Sequence, residues 1–110
     1  MPYITADQRV KLEPNIEQLS TLIAAIAHDY PEETAFAGLL NYAVSELTMR
    51  VVHKRFGRLR YGIIATVCGV LTNIKDELYR RVAAPYEDKA IEKNGDTVMY
   101  AIYGKSPVGA

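Results

Sequence analysis

Apolar side chains recur every three to four residues along most of this chain, and only a helix turns that spacing into one continuous face. Ile16, Leu19, Ile23 and Ile26 form a first stripe. Phe36, Leu39, Leu40, Ala43, Leu47 and Val51 form a second, widened by Met49 and Val52. Ile64, Val67, Cys68, Leu71, Ile74, Leu78 and Val82 form a third. Strong breakers lie between them. Tyr30-Pro31 interrupts the chain after the first stripe, because the residue before a proline is pushed out of helical space. Gly57 stops the second, after His53, Lys54 and Arg55, whose charge suits a helix C-terminus.

The pattern predicts a mainly α fold. A Thr5–Gln8 capping box opens a short helix over about residues 6–12. Pro14 then starts a second helix that runs to about Asp29, since its missing N–H does no harm in a first turn. Long helices are expected over residues 32–55 and 61–83, running antiparallel as the spine of the fold. Pro85 opens a short helix to about Lys93, with Glu87 and Asp88 on the favourable side of its dipole. Asn94-Gly95 marks the stop. Residues 97–103 are β-prone and predict an extended tail, and residues 104–110 predict disorder. Residues 61–71 are apolar nearly all round, which implies contact on more than one side, with a partner subunit as one source. The β-branched residues there make a strand the competing reading, and the unbroken pattern through Val82 favours helix.

Length and composition bound the rest. The chain has 110 residues, with 13 basic and 13 acidic side chains. That length fits a single helical domain over residues 1–103. A neutral chain has no broad attraction to nucleic acid or to an anionic membrane, so neither partner is expected. The lone cysteine, Cys68, sits among apolar neighbours and reads as a small buried residue with no internal disulfide partner. Met1 to Asp7 has neither the basic start nor the apolar stretch of a secretory signal, and the apolar run at residues 61–71 is too short to span a bilayer. A soluble protein of the cytoplasm is the expectation.

Catalytic signatures do not occur. A helical pyrophosphohydrolase that holds Mg²⁺ uses E-x-x-E or E-x-x-D pairs to set two oxygens on one helix face. Neither spacing exists here. His28 and His53 have no metal-ligand partner three or four residues on, so both read as surface or cap histidines and no metal or cofactor is expected. His53, Lys54, Arg55, Arg58 and Arg60 form a basic cluster around Phe56-Gly57, which reads first as a solvated linker.

The densest chemistry runs from Asp76 to Lys89 and on through Asn94-Gly95-Asp96. Asp76 with Arg80, and Glu77 with Arg81, stand four apart, and each pair adds about 0.3–0.5 kcal/mol on a helix surface. The alternative is an anion site. Arg80 and Arg81 point about 100° apart, so one can pair internally while the other faces a cleft, and a guanidinium fork suits phosphate or carboxylate. Tyr79, Tyr86 and Lys89 would complete it. Asn41 and Tyr42, polar residues inside an apolar helix, read either as a buried Asn satisfying a backbone group or a subunit contact, or as part of a polar pocket.

These residues also carry a resemblance. Leu40-Asn41-Tyr42-Ala43, Arg60-Tyr61, Tyr79-Arg80-Arg81, Pro85-Tyr86-Glu87-Asp88 and Asn94-Gly95-Asp96 resemble the motifs of a family of short, uncharacterised proteins from bacteriophages, prophages and bacteria. The resemblance spans roughly residues 38–96 and brings no assigned chemistry. It implies a protein that works by binding. One form is capture of a small phosphorylated or nucleotide ligand, such as a host defence signal, through Tyr79, Arg80, Arg81, Tyr86 and Lys89, with Asn41 and Tyr42. The other is an inhibitor or structural adaptor that contacts proteins through an apolar helix face. A homo-oligomer is expected in either case, and the resemblance implies the cytoplasm of a bacterial host cell as its location.

Overall fold

The computed structural model describes residues 3–104. Its elements are α1 (Ala6–His28), α2 (Ala35–Phe56), α3 (Tyr61–Leu78), a π-helical turn (Tyr79–Ala83), α4 (Ala84–Asn94) and α5 (Val98–Tyr103). No β-strand occurs among the described residues. The chain divides into two packed units, Met1–Val67 and Cys68–Ala110.

In the first unit, the expected capping box is present. The Gln8 N–H donates to Thr5 Oγ1 and the Thr5 N–H donates to Gln8 Oε1, at 3.3 and 3.0 Å. The helix it opens does not stop at residue 12. It continues through Pro14 to His28, so the two short helices expected there are one of 23 residues. Pro14 leaves the carbonyl of Val10 without its helical donor. Both residues lie exposed, where water can take the lost donor's place. Tyr30-Pro31 does break the chain, and α2 begins at Ala35, three residues later than expected.

Gly57 ends α2 as the sequence implies. It adopts φ 75° and its N–H donates to the His53 carbonyl at 2.9 Å, a left-handed cap that glycine alone forms without a Cβ penalty. Arg55 stacks over the Phe56 ring at 4.9 Å, so part of the basic cluster is engaged locally. α1 packs on α2. Among the described residues only Val52 and Ile63 are buried, at 6 and 8% exposure, and they flank the Gly57 turn. Ile64, expected in a stripe, stays 41% exposed. Asn41 is exposed as well, not a buried Asn, and its Oδ1 accepts from Ser45 Oγ at 3.3 Å.

In the second unit, α3 runs straight into the π-helical turn, whose last bond runs from the Ala84 N–H to the Tyr79 carbonyl. Pro85 explains the widening. A proline ring clashes with the carbonyl four residues back, here Arg81, and supplies no N–H to it. A wider turn relieves that clash while the chain stays helical through residue 94. Gly95 closes α4 at φ 87°, with its N–H on the Ile91 carbonyl at 2.7 Å. Cys68 is exposed, which corrects the expectation of a buried thiol.

The tail expected to be extended is a helix over Val98–Tyr103, with Thr97 at its start. β-propensity is a preference for a half-buried pleated surface. Residues 98–103 have no strand to pair with among the described residues, so their backbone groups close on one another instead. The disorder expected over residues 104–110 lies, from residue 105 on, outside the described residues.

Candidate functional site

Tyr79, Arg80 and Arg81 lie on the π-helical turn, and Tyr86 and Lys89 lie on α4. All five belong to the second unit and all are exposed. Asn41 and Tyr42 lie on α2, in the first unit.

The arginines share one carboxylate. Arg80 Nη2 reaches Glu77 Oε1 and Oε2 at 2.9 and 3.1 Å, and Arg81 Nη1 stands 3.7 Å from Oε2 of the same Glu77. The sequence paired Arg80 with Asp76 instead. That pairing assumes α-helical spacing, and Arg80 sits on the π-helical turn, where the spacing differs. Both guanidiniums remain about two-thirds exposed, so each contact is weak.

Beside them the field has the opposite sign. The Tyr79 hydroxyl donates to Glu87 Oε2 at 3.3 Å. The Glu87 charge, that hydrogen bond and then Asp88 hold the phenol above its ordinary value of 10.0. Lys75, Arg80, Arg81 and Lys89 are matched in number by Asp76, Glu77, Glu87 and Asp88. The segment is therefore neutral, and its acidic half lies against the tyrosine that would stack on a base. Neutrality over so short a stretch weakens long-range attraction for an anion.

A concave surface lies elsewhere, in the first unit. α1 contributes Leu19, Leu22, Ile23 and Ile26 to a groove of about 310 Å³, and α2 contributes Leu39, Tyr42, Ala43 and Leu47. Glu46 and Arg50 are its charged residues, paired with each other at 3.1 Å. The groove is open: Leu22, Leu47 and Tyr42 are 54, 55 and 68% exposed. The apolar stripes that the periodicity marks as core are thus lining, not interior. Of the anticipated site residues, Tyr42 alone lies on this groove. Leu22, Glu46 and Arg50 had no site signal in the sequence, because apolar stripes with an i,i+4 ion pair look like any packed helix.

Among the described residues, no group of three or more His, Cys, Asp or Glu is placed to hold a metal ion. No helix there is long and apolar enough to cross a membrane. A family model described as a domain of unknown function, DUF6899, matches residues 1–97. No curated protein and no solved structure matches the chain.

Proposed function

The chain belongs to the DUF6899 family, and we propose from its own geometry that it is a non-catalytic binding protein whose working surface is the apolar groove of α1 and α2, engaging another protein surface. One observation carries this reading: eight apolar residues from two packed helices line a single concavity, and Leu19, Leu22, Ile26, Tyr42 and Leu47 among them are exposed while Ile23, Leu39 and Ala43 are half-buried. An exposed apolar concavity of that kind costs free energy in water until another surface covers it. The Glu46–Arg50 pair gives the surface one oriented polar feature, which suits recognition of a protein more than immersion in lipid.

Photo-crosslinking tests it. The full chain is expressed in bacterial cells with a photoreactive residue replacing Tyr42, and separately replacing Lys54, which lies outside the groove. Protein adducts are expected from position 42 and few from position 54. A position-42 sample that yields no protein adduct overturns the reading.

A second reading is favoured by Arg81, whose contact with Glu77 is the loose one. It is capture of a small phosphorylated or nucleotide ligand at the turn that holds Tyr79 and Arg80, with Tyr86 and Lys89 on α4, as expected of a phage-type protein that sequesters a host signal. Nucleotides, cyclic nucleotides and ADP-ribose derivatives would each be screened for a rise in melting temperature, since a ligand of the folded state stabilises it. Under this reading one of them raises the midpoint and Arg81→Ala removes the rise. A flat panel eliminates capture.

A further inference from the structure

We propose that the turn between α2 and α3 binds single-stranded nucleic acid, holding phosphates on Lys54, Arg55, Arg58 and Arg60 and one unpaired base in the small concavity that Arg58 helps to line. This surface shares no lining residue with the α1–α2 groove, and its role is independent of what the groove engages.

Charge is the first support. No acidic residue occurs between Glu46 and Asp76, the stretch that holds these four cations. All four are exposed. None is in an ion pair among the described residues, where Arg50 takes Glu46 and the arginines at 80 and 81 take Glu77. Arg55 lies over the Phe56 ring at 4.9 Å, a contact that leaves its charge unneutralised. The α2 dipole accounts for His53, Lys54 and Arg55 in the last turn, and its field falls off within that turn. Arg58 and Arg60 stand beyond the Gly57 cap and ahead of α3, where a helix N-terminus disfavours positive charge. Whole-chain neutrality does not cancel this cluster, because exposed charges act over only about 8 Å at physiological ionic strength. Phosphate oxygens are partners that a guanidinium fork suits.

Shape is the second support. Met49, Val52 and Leu59, with His53 and Arg58, line a concavity of about 100 Å³. Sites that enclose a whole small molecule hold about 300–1,000 Å³, so this one suits a single planar group. A single strand presents an unpaired flat ring beside each phosphate. Arg55-Phe56, Arg58-Leu59 and Arg60-Tyr61 set an exposed aromatic or apolar side chain next to each of three guanidiniums, which matches that alternation. A duplex keeps its rings stacked and paired. A lipid surface offers phosphate without a ring to enter a concavity, and an acidic peptide offers carboxylates instead. Val52 and Ile63, the buried side chains among the described residues, flank the turn, so the backbone that carries the cations is held in place before a strand arrives.

Fluorescence anisotropy of the full chain with a labelled thymidine strand of about 12 nucleotides tests the proposal. Binding should weaken with salt along a log–log slope of about −3, since each phosphate on a single strand contributes about −0.7. Arg58→Gln combined with Arg60→Gln should weaken binding on the order of tenfold and halve that slope. Lys93→Gln, an exposed cation on α4, should change neither. Circular dichroism of each variant reports whether it is folded. An abasic strand of the same length should bind more weakly than the thymidine strand, because it has no ring for the concavity.

Absent binding, a folded double variant that binds as before, or equal binding of the abasic strand overturns the proposal. Equal competition by polyglutamate assigns the turn to an acidic protein, and binding to phosphatidylserine vesicles but not to the strand assigns it to a membrane surface. Either result overturns the nucleic-acid reading.

Discussion

Tyr79 shows how a single side chain reports its surroundings. Its phenol is held above the ordinary value by Glu87 first and Asp88 last. Folding thus favours the protonated form. That contribution is fully present below the unfolded-state pKa near 10 and is lost as pH rises through the higher folded value. Stability should therefore fall with rising pH in the alkaline range, and Glu87→Gln should lower the Tyr79 pKa and flatten that fall. An NMR titration of the Tyr79 ring checks the first, and urea unfolding at several alkaline pH values checks the second. An unchanged phenol pKa in Glu87→Gln would show that the 3.3 Å contact does not form in solution. Little of this was legible in the sequence. Tyr79 and Glu87 are eight apart, farther than ordinary i,i+4 reasoning reaches, and their meeting depends on the π-helical turn between them. The neighbouring pair of arginines was legible as an ion-paired cluster, although the acid they share is Glu77 and not one acid each.

At the scale of elements, glycine and proline act through different parts of the backbone. Gly57 is needed for its left-handed φ of 75°. Gly57→Ala should cost about 1 kcal/mol, read as a lower urea midpoint with an unchanged slope. Pro14 is the reverse case, because α1 forms in spite of it. Pro14→Ala restores a donor to the Val10 carbonyl and should stabilise α1 by up to about 3 kcal/mol. A marked gain in helix content on that change would mean that α1 is interrupted at residue 14 in the unmodified chain, as the sequence suggested. Pro85 is the origin assigned to the π-helical turn, so Pro85→Ala should let residues 79–83 relax to α-helix, visible as a new protected amide at position 85. Helix positions were readable because each stripe keeps the 3.6-residue period. Boundaries were readable where a residue type has one physical reason to stop, as at Gly57 and Gly95. They failed at Pro14 and at residues 98–103, where solvent exposure and the lack of a pairing strand overrule local preference.

For the molecule as a whole, the apolar faces were legible but their cover was not. Leu19, Ile23, Leu39 and Leu47 obey the core pattern, yet periodicity is the same for a face turned inward and a face awaiting another chain. The all-round apolar character of residues 61–71 was the one local sign that a single chain leaves surface to cover. If the groove is closed by association, the melting temperature should rise with protein concentration, because mass action favours the bound folded form. A midpoint constant over a hundredfold range of concentration would show that each chain holds its own fold.

The two buried side chains have a kinetic meaning. Val52 and Ile63 sit either side of the Gly57 turn, so the contacts that close earliest need only a short loop, a step of microseconds or less. Packing of α1 on α2 follows within the same chain, and any cover of the groove by association would wait on an encounter between molecules. Refolding should then separate into a fast unimolecular phase and a slower bimolecular one, and diluting the sample should slow only the second.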